Sequence, residues 1–257
     1  MEASETVRYI RARSGLSQLE LSKLAGVAAS TISRIERNEL DPTWTTMNRI
    51  FDAVGSRPAA ELVSDGDLSA IAAARKVLGE LPGLELTARS EEWIRRWRRA
   101  QFVDHSGFVR KVEKVAVQAG IASRIFDRPI EQVAVIYDRP WQSIVADLHS
   151  GGIDYAVTGI TATSPTRNRD GAAWPFIYVD DVTKAQNVAA LRLAQVGEPR
   201  VTLLAFDGVS SAETVVDDGI TWVSPGQALI DSYAGPGRMP DQADVAASRW
   251  QSELVAA

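Results

Sequence analysis

The chain has 257 residues, 45% of them hydrophobic and 24% charged, with a formal net charge of −5. This suits two globular domains of ordinary size and argues against a generic basic nucleic-acid coat protein. With no Cys and only His105 and His149, disulfides and thiolate metal sites are excluded, and little is left for a zinc centre.

No run approaches the ~18–20 apolar residues of a membrane span, and no signal segment opens the chain. A cytoplasmic protein is expected. Charge is unevenly placed, with net +4 over residues 89–114 and net −7 over residues 115–257. The first half is suited to meeting phosphate and the second to avoiding it.

From Glu5 to Val54 the apolar spacing is helical, broken at Ser14-Gly15, Gly26-Val27, Asn38 to Pro42 and Gly55. About four short helices are predicted. Ser17-Gln18-Leu19-Glu20 reads as a capping box, and the helix it opens points Leu21 and Leu24 inward. Ala25 is small where helices cross, Gly26 supplies the positive φ of a tight turn, and Val27 plugs the core. The next helix, from about Ala29 to Arg37, buries Ile32 and Ile35. By 3.6 periodicity Ala29, Ser30, Ser33, Arg34 and Arg37 then face outward. Asn38 tolerates a left-handed cap, and Asp41-Pro42-Thr43 ends one helix and caps another. In that last helix Trp44, Met47, Ile50, Phe51 and Val54 recur at helical spacing.

Ser56-Arg57-Pro58 starts a further turn, and Ser64-Asp65-Gly66-Asp67 reads as a linker. Residues 68–79 and 90–103 read as helices, the second with Ser90 as N-cap. In that helix Arg95, Arg96, Arg98 and Arg99 interleave with Trp93 and Trp97. A solvated face with packed tryptophans is the preferred reading, and a second phosphate-contacting surface is the alternative.

Beyond residue 130, the runs 132–137, 175–180, 188–193 and 200–206 have the short apolar pattern of strands. Residues 140–149, 224–234 and 240–254 read as helices, with Pro225 and Pro240 at first-turn positions. The fold class expected is a two-domain α+β protein. An all-α helix-turn-helix head covers 1–64, a helical, partly basic connection 65–130, and an α/β body 131–257.

No catalytic constellation stands out, so the chain is expected not to be an enzyme and to need no cofactor or metal. There is no Gly-x-Ser-x-Gly elbow, no Walker loop and no His-Glu-x-x-His. The acidic pairs Asp180-Asp181 and Asp217-Asp218 would be the Mg²⁺ ligands of an enzyme, and strand-end and turn roles explain them better.

Residues 7–55 closely resemble the Xre/Cro/phage-repressor helix-turn-helix family. The likeness lies in Ser17-Gln18, Leu21, Ala25-Gly26-Val27, Ser30 to Glu36 and Asp41-Pro42. It implies that the 29–37 helix enters the major groove of operator DNA, and that Gln18 meets a phosphate at the preceding helix N-terminus. The candidate DNA-binding residues are Gln18, Ala29, Ser30, Thr31, Ser33, Arg34, Arg37 and Thr43. Family members often carry a Ser and a Gln where Ala28 and Ala29 stand. Readout is therefore expected to lean on Arg34, phosphate contacts and DNA shape.

Residues 140–252 resemble the AbiEi family of type IV toxin–antitoxin antitoxins. Tyr155 to Ala162 looks like its YAVTGxxA segment, and Phe176 to Val179 and Val201 to Asp207 like the strands that follow. Asp218-Gly219-Ile220 with Val223 to Asp231 resembles its DG…VSxxQxxLD signature, and Gly237-Arg238, Ala243 and Trp250 its closing helix. Members usually carry an N-terminal winged helix, so the DNA-binding mode here follows the Xre-type head. The resemblance implies an autoregulatory repressor that opposes a nucleotidyltransferase-like toxin, with or without touching it. A homodimer on two half-sites is a further expectation. The rival is a ligand-responsive Xre-family regulator unrelated to a toxin, and a metal-dependent DNA enzyme is third.

Overall fold

The structure is a computed structural model that describes residues 2–56, 66–136, 139–163, 175–195, 198 and 200–256. The chain divides into two units, Met1–Leu62 and Val63–Ala257. The expected turn at Arg57-Pro58, the Ser64-Asp65 half of the linker, Tyr137 at the end of a strand run and the boundary at 64/65 lie outside the described residues.

The first unit forms the four expected helices: α1 (Ala3–Ser14), α2 (Gln18–Ala25), α3 (Ala29–Glu36) and α4 (Trp44–Ala53). Val7, Leu21, Ile32, Ile35 and Ile50 are fully buried in its core, flanked by Ile10, Ala25, Met47 and Phe51. Gly15 and Gly26 close α1 and α2 in the left-handed region, at φ 65° and 61°. Two expectations fail. Leu24 and Trp44 were expected on buried stripes but are 58% and 61% exposed. Leu21 and Ala25, one turn apart, already fill the inner stripe of the eight-residue α2. Trp44 is the first residue of α4 and projects past the core that Met47 and Ile50 complete.

The second unit begins with α5 (Leu68–Val77), α6 (Ala88–Arg99) and α7 (Val112–Ala122), the last not expected. Thr87, not Ser90, caps α6, accepting from the Ser90 amide at 3.1 Å. Ser90 instead turns inward and is buried. Then follow β1 (Gln132–Ile136), α8 (Trp141–Ser150), β2 (Tyr155–Thr158), the single turn α9 (Ile160–Thr163) and β3 (Phe176–Val179). The chain continues through α10 (Val182–Val188), β4 (Arg200–Ala205), β5 (Val215–Asp217), β6 (Ile220–Trp222), α11 (Pro225–Ala234) and α12 (Met239–Ala256). The strand expected over 188–193 is absent. Asp181 caps α10, which consumes Val188, and Ala190 then turns left-handed at φ 51°. Only Leu193 pairs, in an isolated bridge to Val135.

The six strands form one mixed sheet in the order β1-β4-β3-β2-β6-β5. Neighbours alternate along the sheet: β1 with β4 antiparallel, β4 with β3 parallel, β3 with β2 antiparallel, β2 with β6 parallel, β6 with β5 antiparallel. Period-two alternation sends Val157, Ile177 and Leu203 to one face, against Trp141, Ile144 and Leu148 of α8. Ala156, Phe176, Tyr178 and Leu204 point to the other, against Ala228 and Ala234 of α11.

α11 is the hub of the unit, with every residue from Gly226 to Ala234 buried. Its far side joins a helical core in which Ile71, Ala74, Trp97, Val115 and Ala119 pack with Leu229, Ile230, Ala243 and Ala247. Residues 65–130 are therefore not a separate connection. Their apolar stripes are covered by α11 and α12, so no domain boundary falls at 130. Gly120 lets α7 approach α11 closely, since a Cβ there would lie 2.7 Å from the Tyr233 Cβ and 2.9 Å from backbone.

The interior of this unit holds an ion pair. Arg128 and Asp231, both with fully buried side chains, meet at 2.7 Å. Thr158 donates to the second Asp231 oxygen at 2.6 Å, Tyr178 at 3.2 Å, and Gln227 to the first at 3.0 Å. Burial, with the Asp231 charge nearby, holds the Tyr178 hydroxyl well above its ordinary range. Beside it Glu80 receives Arg75 at 2.9 Å, the Ser224 hydroxyl at 2.7 Å and the Gly226 amide. A carboxylate thus sits at the N-terminus of α11. No helix among the described residues is long and apolar enough to cross a membrane.

Candidate nucleic-acid interface

The head presents α3 by fixing both its approach and its axis. Ser17 and Glu20 form the expected reciprocal cap on α2: the Glu20 amide donates to the Ser17 hydroxyl at 3.2 Å, and the Ser17 amide to Glu20 at 2.8 Å. Gly26 turns the chain, and Ile32 and Ile35 lock α3 into the core with no exposure. Ala28 caps α3 without a side-chain bond, so the first amides of the helix are left to other partners.

Of the expected DNA-binding residues, Ser30, Arg34, Arg37 and Thr43 are exposed and Gln18, Ala29, Thr31 and Ser33 partly so. The outward face of α3 therefore carries Ser30, Thr31, Ser33, Arg34 and, at its C-cap, Arg37. Arg34 has no bonded partner among the described residues. Arg37 is engaged: its fork meets Glu39 at 2.7 and 2.9 Å, and it donates to the Ser33 hydroxyl at 2.7 Å. The bond from Arg37 holds the Glu39 carboxyl below its ordinary range, so this clamp keeps its charge. Thr43 spends its hydroxyl as the cap of α4, accepting from the Thr46 amide at 3.2 Å.

Gln18 has a second role that its sequence position did not reveal. Its side-chain amide donates at 2.7 Å to Glu36, which also receives Arg11 at 2.7 and 3.2 Å. Burial pushes the Glu36 carboxyl up, but the bonds from Arg11 and Gln18 outweigh it, and the group is held below its ordinary range. Glu36 thereby ties α1, α2 and α3 together and orients the Gln18 amide. The signal was present: Glu36 lies one turn from Ile32, on the buried stripe.

The acidic pairs considered for metal take structural positions. Asp181 caps α10, accepting from the Lys184 amide at 2.7 Å. Asp218 and Gly219, at φ 50° and 75°, make the tight turn between β5 and β6. Among the described residues no group of three or more His, Asp or Glu is placed to hold a metal ion. A cleft of about 560 Å3 lies in the second unit, lined by Phe126, Asp127, Tyr233, Asp241 and Asp244 among others.

Residues 7–62 match the helix-turn-helix family model, which covers all four helices of the head from Val7 onward. No curated protein matches the chain, and no solved structure does.

Proposed function

We propose that this chain is an operator-binding transcriptional repressor that serves as the antitoxin of a type IV-like toxin–antitoxin pair. The observation that carries the first part is the outward face of α3. Its inner side is locked by Ile32, Ile35 and Glu36, and its outer side offers short polar groups around one unbonded guanidinium. That is the chemistry of a helix entering a major groove. The uncapped amides of α3 and the N-terminus of α2 suit phosphate.

Replacing Arg34 with alanine is expected to weaken operator binding by about 1–3 kcal/mol, roughly 5- to 150-fold, and to relax discrimination at one base pair. A gel-shift titration on the chain's own promoter measures it. Wild-type affinity in the variant overturns the recognition role of α3.

The antitoxin part rests on the motifs of the body. Thr158, Gln227 and Asp231, which belong to the motif-like segments, all meet in one buried network, so these segments act on the fold. If a neighbouring gene encodes a nucleotidyltransferase-like toxin, co-expression of this chain restores growth that the toxin alone arrests. Unrelieved toxicity removes the antitoxin role and leaves the repressor. The second reading, a ligand-responsive regulator, is favoured by the 560 Å3 cleft, whose size suits a small molecule. Its mark is release of the operator on addition of such a molecule.

A further inference from the structure

Building on the DNA-binding reading, we propose that the arginine face of α6 and the hairpin after it form a second, sequence-independent contact with duplex phosphate. Three guanidiniums converge on one carboxylate: Glu92 meets Arg95 at 2.8 Å and both Arg96 and Arg99 at 3.3 Å. Glu91 adds a longer contact to Arg95 at 3.6 Å. Four arginines, counting the exposed Arg98, thus face two glutamates, and the surplus charge lies in water. Side-chain exposures of 54%, 51% and 73% for Arg95, Arg96 and Arg99 leave the forks accessible.

Four arginines gather in the second half of the helix, where Glu92 contacts three of them and Arg96 lies 4.9 Å over the Trp93 ring. The opposite side, Ser90, Ile94 and Trp97, is buried and anchors the helix. Guanidinium forks that exchange Glu92 for a phosphate match its oxygens, and exposed pairs of this kind exchange readily. From Arg95 to Arg99 the helix rises about 6 Å, so the two forks lie a little over one turn apart on the same face.

The hairpin extends the surface. Val103 bridges Val109, and the Asp104 carboxylate accepts from the Ser106 amide at 2.9 Å, the Ser106 hydroxyl at 2.6 Å and the Phe108 amide at 3.0 Å. Its tip is therefore pinned, with His105 and Ser106 exposed and Phe108 44% exposed. Arg110 and Lys111 follow, both exposed. A polyanion satisfies the whole array, and the chain that carries it also carries a helix for duplex DNA.

The experiment compares the full-length wild type with the Arg95→Gln/Arg98→Gln/Arg99→Gln variant, on a short duplex of random sequence across a salt series. Binding is read by fluorescence anisotropy. The slope of log affinity against log salt is expected to fall by about 2–3, with about tenfold weaker binding at moderate salt. Glu92→Gln, which frees the forks, is expected to steepen the slope instead, and serves if the triple variant unfolds. Unchanged slopes in a chain that still binds its promoter overturn this inference and leave the repressor intact. A wild type that binds no DNA overturns both. If the triple variant loses heparin or single-stranded RNA but keeps duplex DNA, the surface serves another polyanion and the inference falls.

Discussion

Asp231→Ala is expected to destabilise the second unit by about 3–5 kcal/mol, because it leaves the Arg128 guanidinium buried without its counter-charge. The Tyr178 and Thr158 hydroxyls and the Gln227 amide lose their acceptor in the same step. For a unit of this size the melting midpoint falls by on the order of 10 °C, measurable by calorimetry or circular dichroism. Removing both charges together, as Arg128→Met/Asp231→Leu, recovers only the cost of the unpaired charge, because the Thr158, Tyr178 and Gln227 donors remain without their acceptor. A single variant as stable as wild type contradicts the network described here. Asp231 anchors α11, and α11 serves both the sheet and the helical core, so the damage spreads to both.

Trp97→Ala is expected to cost about 3–5 kcal/mol by leaving a large void in the helical core. Trp97 is fully buried, packs 5.8 Å from Trp93 and donates its indole N–H to Gln118 of α7 at 2.8 Å. Phenylalanine at this site restores most of the packing and none of the hydrogen bond. Denaturant titration separates the two: alanine moves the midpoint far, phenylalanine about a third as far. Equal shifts for both show that the bond to Gln118, not the ring volume, holds α6. Because the indole packs behind the arginine face, the alanine variant also loosens the array on α6.

Much of the head was legible because its determinants are local. A capping box, a glycine turn and a 3.6-residue stripe act within a few positions, and each appears where the spacing put it. What failed there failed at the margins, at Leu24 and Trp44, where a short helix has more apolar residues than its core accepts. The Arg37–Glu39 clamp was also local and readable, but a lone arginine on an outer face is more readily taken as free. In the body the strands over 132–136, 176–179 and 200–205 were found by their apolar runs. The three-residue strands β5 and β6 are too short to carry a pattern, and Val188 to Leu193 carried one that a cap at Asp181 overrode. The polar interior was out of reach. Arg128 and Asp231 are 103 positions apart, Ser224 and Glu80 are 144, and nothing in their neighbourhoods marks them as partners.

The clamp on Arg37 has a consequence for gene control. On the proposed reading of α3, a head whose Arg37 stays with Glu39 distinguishes base pairs chiefly through Arg34, worth about 1–3 kcal/mol per good contact, against roughly a million or more competing positions in a genome. Such a reader is informationally poor. Under that reading, occupying a unique address would demand either two heads acting in tandem or many copies per cell, which would make dosage, more than sequence, the variable that sets when the proposed target promoter is silent.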